Sequence, residues 1–238
     1  MAIRAVFFDF AGTLFSDRAL RDVHLAQLRL VADTVGVEPS DDELRAAYRS
    51  GMGVAYRAVA TRPSYLHREL FGAAFAAMAE AFGGHLDAAQ VSDVVDRQYR
   101  ATIDHAVLRS DSLETLVALR AGGRYVQIVS NIDVEQIDGL VERLQLAPVV
   151  DTWTSSEEAG SCKPDPAIYD LALTKAGCAA DEVLFVGDSP AHDVDGPRVA
   201  GMHTALLVAE SRSNAGGSSA DHVIGTLGEV LAIVGADR

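Results

Sequence analysis

The spacing of apolar and polar positions divides the chain into two kinds of segment. Short, nearly continuous apolar runs lie at Ala5 to Phe8, Tyr125 to Val129, Val149 to Trp153, Val183 to Val186 and Thr204 to Val208. Such runs fit strands covered on both faces, as in a parallel sheet. After residue 100 each run leads through a polar or glycine-containing turn into a helical pattern. Helices are expected to begin near Asp111, Asp133, Pro166 and Pro190, the last two with proline in the first turn. This alternation predicts an α/β fold, a doubly wound, Rossmann-like parallel sheet.

The stretch from Asp17 to His105 has a different period. Leu20, Val23, Leu28, Val31 and Val35 mark one helical face, and Leu70, Phe71, Ala74, Phe75, Met78 and Phe82 another. An inserted helical block of four or five helices is expected at 17–105, leaving 1–16 and 106–238 to form the sheet domain. The run from Ala209 to Asp221, rich in Ser, Gly and Asn, reads as a mobile surface loop before a last short strand and helix.

Composition narrows the function. Nearly half of the 238 residues are apolar, enough for a sizeable core, and the formal net charge is −14. Affinity for nucleic acid comes mainly from Lys and Arg neutralising phosphates, so this balance argues against a nucleic-acid partner and for a small substrate. Cys162 and Cys178, the two cysteines, stand in no metal-ligand or CxxC spacing. No apolar run approaches membrane-spanning length, and the first residues enter a strand without a leader pattern. A cytoplasmic protein without a membrane partner is expected, acting as a monomer or homodimer.

The residues able to do chemistry fall at the ends of the predicted strands, where a doubly wound sheet binds its ligands. Asp9 and Thr13 follow the first strand, and Ser130-Asn131 follow Val-Gln-Ile-Val. Lys163 precedes Pro-Asp-Pro beyond the third, while Gly187-Asp188-Ser189-Pro-Ala-His192-Asp193 follows Val-Leu-Phe-Val. Lys163 and Lys175 are the only lysines of the chain.

This ordered set resembles the four motifs of the haloacid dehalogenase superfamily, over nearly the whole chain. The resemblance implies a core domain with a helical cap at 17–105. It also implies Mg²⁺ held by Asp9, the backbone carbonyl of Ala11 and Asp188, with Asp193 acting directly or through water. Asp9 would be the nucleophile toward a small phosphorylated metabolite, forming an aspartyl phosphate. Thr13, Ser130 and the Asn131 amide would bind phosphate oxygens, while Lys163 would neutralise both nucleophile and phosphate.

One position departs from the pattern. Phosphatases of the superfamily carry a second Asp as proton donor and acceptor where this chain has Ala11. A positioned acid or base contributes roughly 10² to 10⁴ in rate, so its absence narrows the substrates to those with good leaving groups or passes the proton to another group. His192, His24 and His67 are candidates for that group. Asp-x-Ala-Gly-Thr also resembles the phosphonatase branch, which forms a Schiff base with a cap lysine. Residues 17–105 contain no lysine, which argues against that chemistry. Haloacid dehalogenases also lack the second Asp, but they use no Mg²⁺. A protein that binds a phosphometabolite or partner without efficient turnover is the remaining alternative. The arginines and aromatics around Thr61-Arg62-Pro63-Ser64, namely Arg57, Arg62, Tyr65, His67 and Arg68, are candidates for substrate recognition or for simple solvation of the helices.

Overall fold

A computed structural model describes residues 2–208 and 219–235. The chain forms two compact units, one built from the arms up to Asp17 and from Val107 onward, the other from Arg18–Ala106.

Strand β1 (Ala5–Phe8) opens the first unit, and all four of its residues are buried. The second unit is built of four helices, α1 (Arg21–Thr34), α2 (Asp41–Val59), α3 (His67–Ala81) and α4 (Ala88–His105). Two of them start at capping boxes. Ser40 and Glu43 exchange side-chain and backbone hydrogen bonds before α2, as Asp87 and Gln90 do before α4, satisfying amide groups that a helix start leaves open. The helices pack around Leu25, Leu28, Val31, Phe75, Met78, Val95 and Tyr99. The buried stripe of α1 runs through Leu25 rather than the Val23 expected from the pattern.

The chain then continues through α5 (Ser112–Ala121), β2 (Tyr125–Ser130), α6 (Val134–Arg143), β3 (Thr152–Ser155), α7 (Ser156–Ala159) and α8 (Pro166–Ala176). It ends with β4 (Val183–Gly187), a π-helical turn at Pro190–Asp195, α9 (Gly196–Val199), β5 (His203–Leu207), β6 (His222–Ile224) and α10 (Glu229–Gly235). The six strands make one parallel sheet in the order β3-β2-β1-β4-β5-β6. Strand β1 is central, with Ala5 opposite both Tyr125 and Val183. The direction of winding reverses beside it, so the crevice beyond its carboxyl end is the natural ligand position of this fold.

Two differences from the expected elements have physical causes. The third strand begins at Thr152, not Val149. Asp151 takes up the ladder there, its backbone N–H donating to Val126 O and its carboxylate accepting from Val126 N, so Val150 is buried ahead of the strand. The segment after Pro190 closes as a π-helical turn before α9 rather than as a continuous α-helix. Of the run expected to be a mobile loop, residues 209–218 lie outside the described residues.

The arms on either side of the second unit are joined within the first. Phe15 and Leu108 form an antiparallel bridge. The Arg109 N–H donates to Leu14 O at 3.0 Å, and Ser112 Oγ donates to the same carbonyl at 2.7 Å.

At the far edge, the Asp221 carboxylate accepts from Thr204 N, Thr204 Oγ1 and the Arg198 guanidinium at 2.9, 3.1 and 2.8 Å. Burial works to raise its pKa, but these donors outweigh burial and hold it below the ordinary value. A carboxylate whose folded pKa is depressed stabilises above its unfolded pKa, and the stabilisation is lost as pH falls through the folded value. Asp221→Asn should therefore lower the melting temperature at pH 7, with the gap to wild type narrowing as pH falls below about 5 and through the depressed folded value. A gap independent of pH in thermal scans would remove this account of the latch.

Candidate active site

Five residues from four strand ends converge beyond β1. The Asp9 N–H donates to Val186 O at 2.9 Å, extending the ladder one residue past the strand. That bond fixes where the carboxylate points. Lys163 Nζ donates to Asp9 Oδ1 and Asp193 Oδ1, both at 2.7 Å, and to the Val129 carbonyl at 3.0 Å. Ser130 Oγ donates to Asp9 Oδ1 and Thr13 Oγ1 to Asp9 Oδ2, each at 3.2 Å. Asp9, Thr13, Ser130, Lys163 and Asp193 are all buried.

Asn131 plays a part that the sequence did not disclose. Its side-chain amide donates to the Lys163 carbonyl at 3.0 Å, and its Oδ1 accepts from the Lys163 N–H at 2.6 Å. This reciprocal pair anchors the backbone of the loop that carries the ammonium group. No sequence signal marks it, because the partners are more than thirty residues apart and neither forms part of a regular element.

The turn after β1 brings Asp188 close. Gly12 has φ +86°, a left-handed conformation suited to glycine. A Cβ there would lie 2.8 Å from Asp188 Oδ2, so the glycine also makes room for that carboxylate. Asp9, Asp188 and Asp193 offer carboxylate oxygens that all lie within 4.8 Å of one another. This all-oxygen donor set fits a hard divalent cation. Ala11 sits at the rim with its side chain exposed.

Electrostatics follow from burial. Burial works against the charge on Lys163, but Asp193 and Asp9 outweigh it and hold the ammonium's pKa above the ordinary lysine value. Burial pushes the Asp193 carboxyl up, Lys163 pulls it back and Asp9 adds to the rise, leaving it at about 6. His192 is half-buried, and burial together with the Lys163 ammonium lowers its pKa against a small opposing pull from Asp9.

The other histidines considered for proton transfer belong to the second unit. His24 pairs with Gln98 at 3.2 Å and packs edge-on against Tyr48, and burial lowers its pKa. His67 stacks on Tyr65. Arg68 pairs with Asp96 at 2.6 Å and lies over Tyr99, so its charge is used within the unit. Arg57 and Arg62 are exposed.

Residues 3–201 match the haloacid dehalogenase-like hydrolases, and the chain belongs to that family of hydrolases. It is 27% identical over 238 residues to the ribulose-1,5-bisphosphate 5-phosphatase of Halopiger xanaduensis, covering 97% of this chain and 98% of that one. It is 34% identical over 97 residues to (S)-2-haloacid dehalogenase 4A of Burkholderia cepacia, covering 41% and 42% of the two chains. Among solved structures, the HAD-hydrolase YfnB of Bacillus subtilis, bound to magnesium, superposes with a TM-score of 0.80 at 19% identity, over 98% of this chain and 99% of that one. The relatives thus include both phosphatases and dehalogenases. No described helix is long and apolar enough to cross a membrane.

Removing the ammonium should expose what it balances. Lys163→Met would leave Asp9 and Asp193 buried without their shared counter-charge, a change that costs about 3–5 kcal/mol when one partner of a buried pair is lost. Urea denaturation without divalent cations would measure it, and a loss below about 1 kcal/mol would show that the pair is worth no more than a surface contact.

Proposed function

We propose that this hydrolase is a Mg²⁺-dependent phosphatase of small phosphorylated metabolites, with Asp9 as nucleophile and Asp9, Asp188, Asp193 and the Ala11 carbonyl holding the cation. The observation that carries the reading is the cluster of three carboxylates, two of them paired with Lys163. One ammonium stands against three carboxylates there. A dehalogenase-type site has no use for that surplus of oxygen ligands.

Bound Mg²⁺ would supply charge neutralisation for an anionic nucleophile approaching an anionic substrate. The remaining work falls to the chain's own groups. Ser130 and Thr13 hold both oxygens of Asp9 in the free site; with substrate bound, their single hydroxyl hydrogens turn to phosphate oxygens beside the Asn131 N–H. Lys163 orients Asp9 and neutralises charge that accumulates on the transferring phosphoryl group. Attack by Asp9 on phosphorus expels the leaving-group oxygen and leaves an aspartyl phosphate, which water then hydrolyses.

Ala11 determines which substrates suffice. Lys163 is held charged by two carboxylates and is a poor proton donor. Burial and the Lys163 ammonium disfavour the protonated form of His192, so the leaving group departs as an anion or takes its proton from solvent. Acyl and aryl phosphates meet that condition more readily than alkyl phosphates. Relatives that act on sugar phosphates support the phosphorylated class without fixing the member.

Asp9→Asn should abolish hydrolysis of p-nitrophenyl phosphate and the acid-stable labelling of the protein by a phosphorylated substrate. Equal turnover by the variant would sink the nucleophile assignment. A screen with and without Mg²⁺ that also includes 2-haloacids tests the class, since halide release independent of Mg²⁺ would favour a dehalogenase. Tight binding of one phosphometabolite with no turnover would favour a binding protein.

Ala11→Asp should raise kcat/KM on alkyl phosphates by roughly 10² or more while changing acyl phosphate hydrolysis little. An equal response of the two classes in parallel assays would show that proton transfer does not limit the wild type.

A further inference from the structure

The loop from Asp188 to Gly196 carries two of the three clustered carboxylates, and its shape depends on a residue outside all four motifs. Within it, the Asp193 N–H donates to Ser189 O at 2.8 Å, and the Ser189 N–H donates to Asp193 Oδ2 at 2.9 Å. Residues Pro190–Asp195 form a π-helical turn, and the Gly196 N–H reaches back five residues to Ala191 O. In that pattern the next bond would join the His192 carbonyl to the N–H of residue 197. Residue 197 is proline and has no N–H.

Tyr169 supplies the missing donor. It lies on α8, in the helix that follows the Lys163 loop, and is fully buried. Its hydroxyl donates to the His192 carbonyl. Its ring meets Phe185 edge-on at 5.8 Å between centroids, and a Cβ on Gly196 would stand 2.2 Å from the hydroxyl oxygen. The backbone at Gly196 thus closes directly over the phenol.

Packing alone does not account for the hydroxyl. A phenylalanine ring would make the same contact with Phe185, and an unbonded phenol in this place would be costly. Burial, with Asp193 and Asp9 nearby, raises the phenol's pKa, so it remains a donor throughout the neutral range.

We infer that Tyr169 is the positioning residue of the cation site. By replacing the backbone donor that Pro197 cannot provide, its hydroxyl keeps the π-helical turn closed and Asp188 and Asp193 in register with Asp9. The same helix that follows the ammonium-bearing loop therefore also sets the carboxylate-bearing loop. This inference rests on the cation-site reading for its consequence, though not for the hydrogen bond itself.

The test uses full-length Tyr169→Phe, Pro197→Ala and the double variant. Two readings are taken: hydrogen exchange of the 188–199 segment without metal, and calorimetric titration with Mg²⁺ alone. Tyr169→Phe should speed exchange in that segment by about five- to tenfold and weaken Mg²⁺ binding by a similar factor, while exchange in β1 and β2 stays as in wild type. Pro197→Ala restores an N–H at the fifth position, so the double variant should recover most of both losses. Unchanged exchange in Tyr169→Phe, loosening spread evenly over the sheet, or failure of Pro197→Ala to repair the segment would each overturn the inference. Absence of Mg²⁺ binding by the wild type would overturn the cation reading, and exchange would then decide the positioning role by itself.

Discussion

The ammonium group of Lys163 is the contact on which the site depends. It touches three strand ends at once: Asp9 after β1, the Val129 carbonyl in β2 and Asp193 after β4. Inside a protein, carboxylates this close repel strongly, and neither could remain ionised at low cost without a buried cation between them. Lysine suits the place because its charge is compact and its stem long enough to cross from an outer loop to the centre of the sheet. The rest of the site serves that bridge. Asn131 fixes the lysine's backbone, Ser130 and Thr13 each donate to one oxygen of Asp9, and the turn at Pro190–Asp195 brings Asp193 to meet it.

The sheet explains why so few residues suffice. A central strand flanked by parallel neighbours presents three carboxyl ends side by side, separated by the ordinary interstrand spacing. Side chains just past those ends need little reach to converge. The chemistry can therefore be carried by single residues on short loops, in a family whose members include both phosphatases and dehalogenases. Ala11 offers the turn after β1 its backbone carbonyl and no titratable side chain.

What the sequence disclosed follows from the same physics. Strands β1, β2, β4 and β5 were legible because burial on both faces demands nearly unbroken apolar runs. The edge strand β3 was misplaced by three residues, because Val149 and Val150 resemble a strand while the paired residues are Thr152 to Ser155. Asp9, Ser130, Lys163, Asp188 and Asp193 were legible because their spacing repeats a known pattern. The Asn131 side-chain clasp and the Tyr169 hydroxyl were not, since each is defined by a partner distant in the chain. Arg68 stood open between substrate recognition and solvation of its helix, and its pairing with Asp96 appears only once α3 and α4 are packed together.

The stitched arms around Leu14 have a different kind of consequence. Because Phe15 and Leu108 are paired and Leu14 accepts from both Arg109 and Ser112, the sheet unit meets residues 18–106 as one closed loop whose ends are already tied. The entropy of closing a loop rises only with the logarithm of its length. The core is therefore nearly indifferent to how long the insertion is. Lineages of this fold are free to exchange, shrink or enlarge what lies between the two arms without re-registering a single strand.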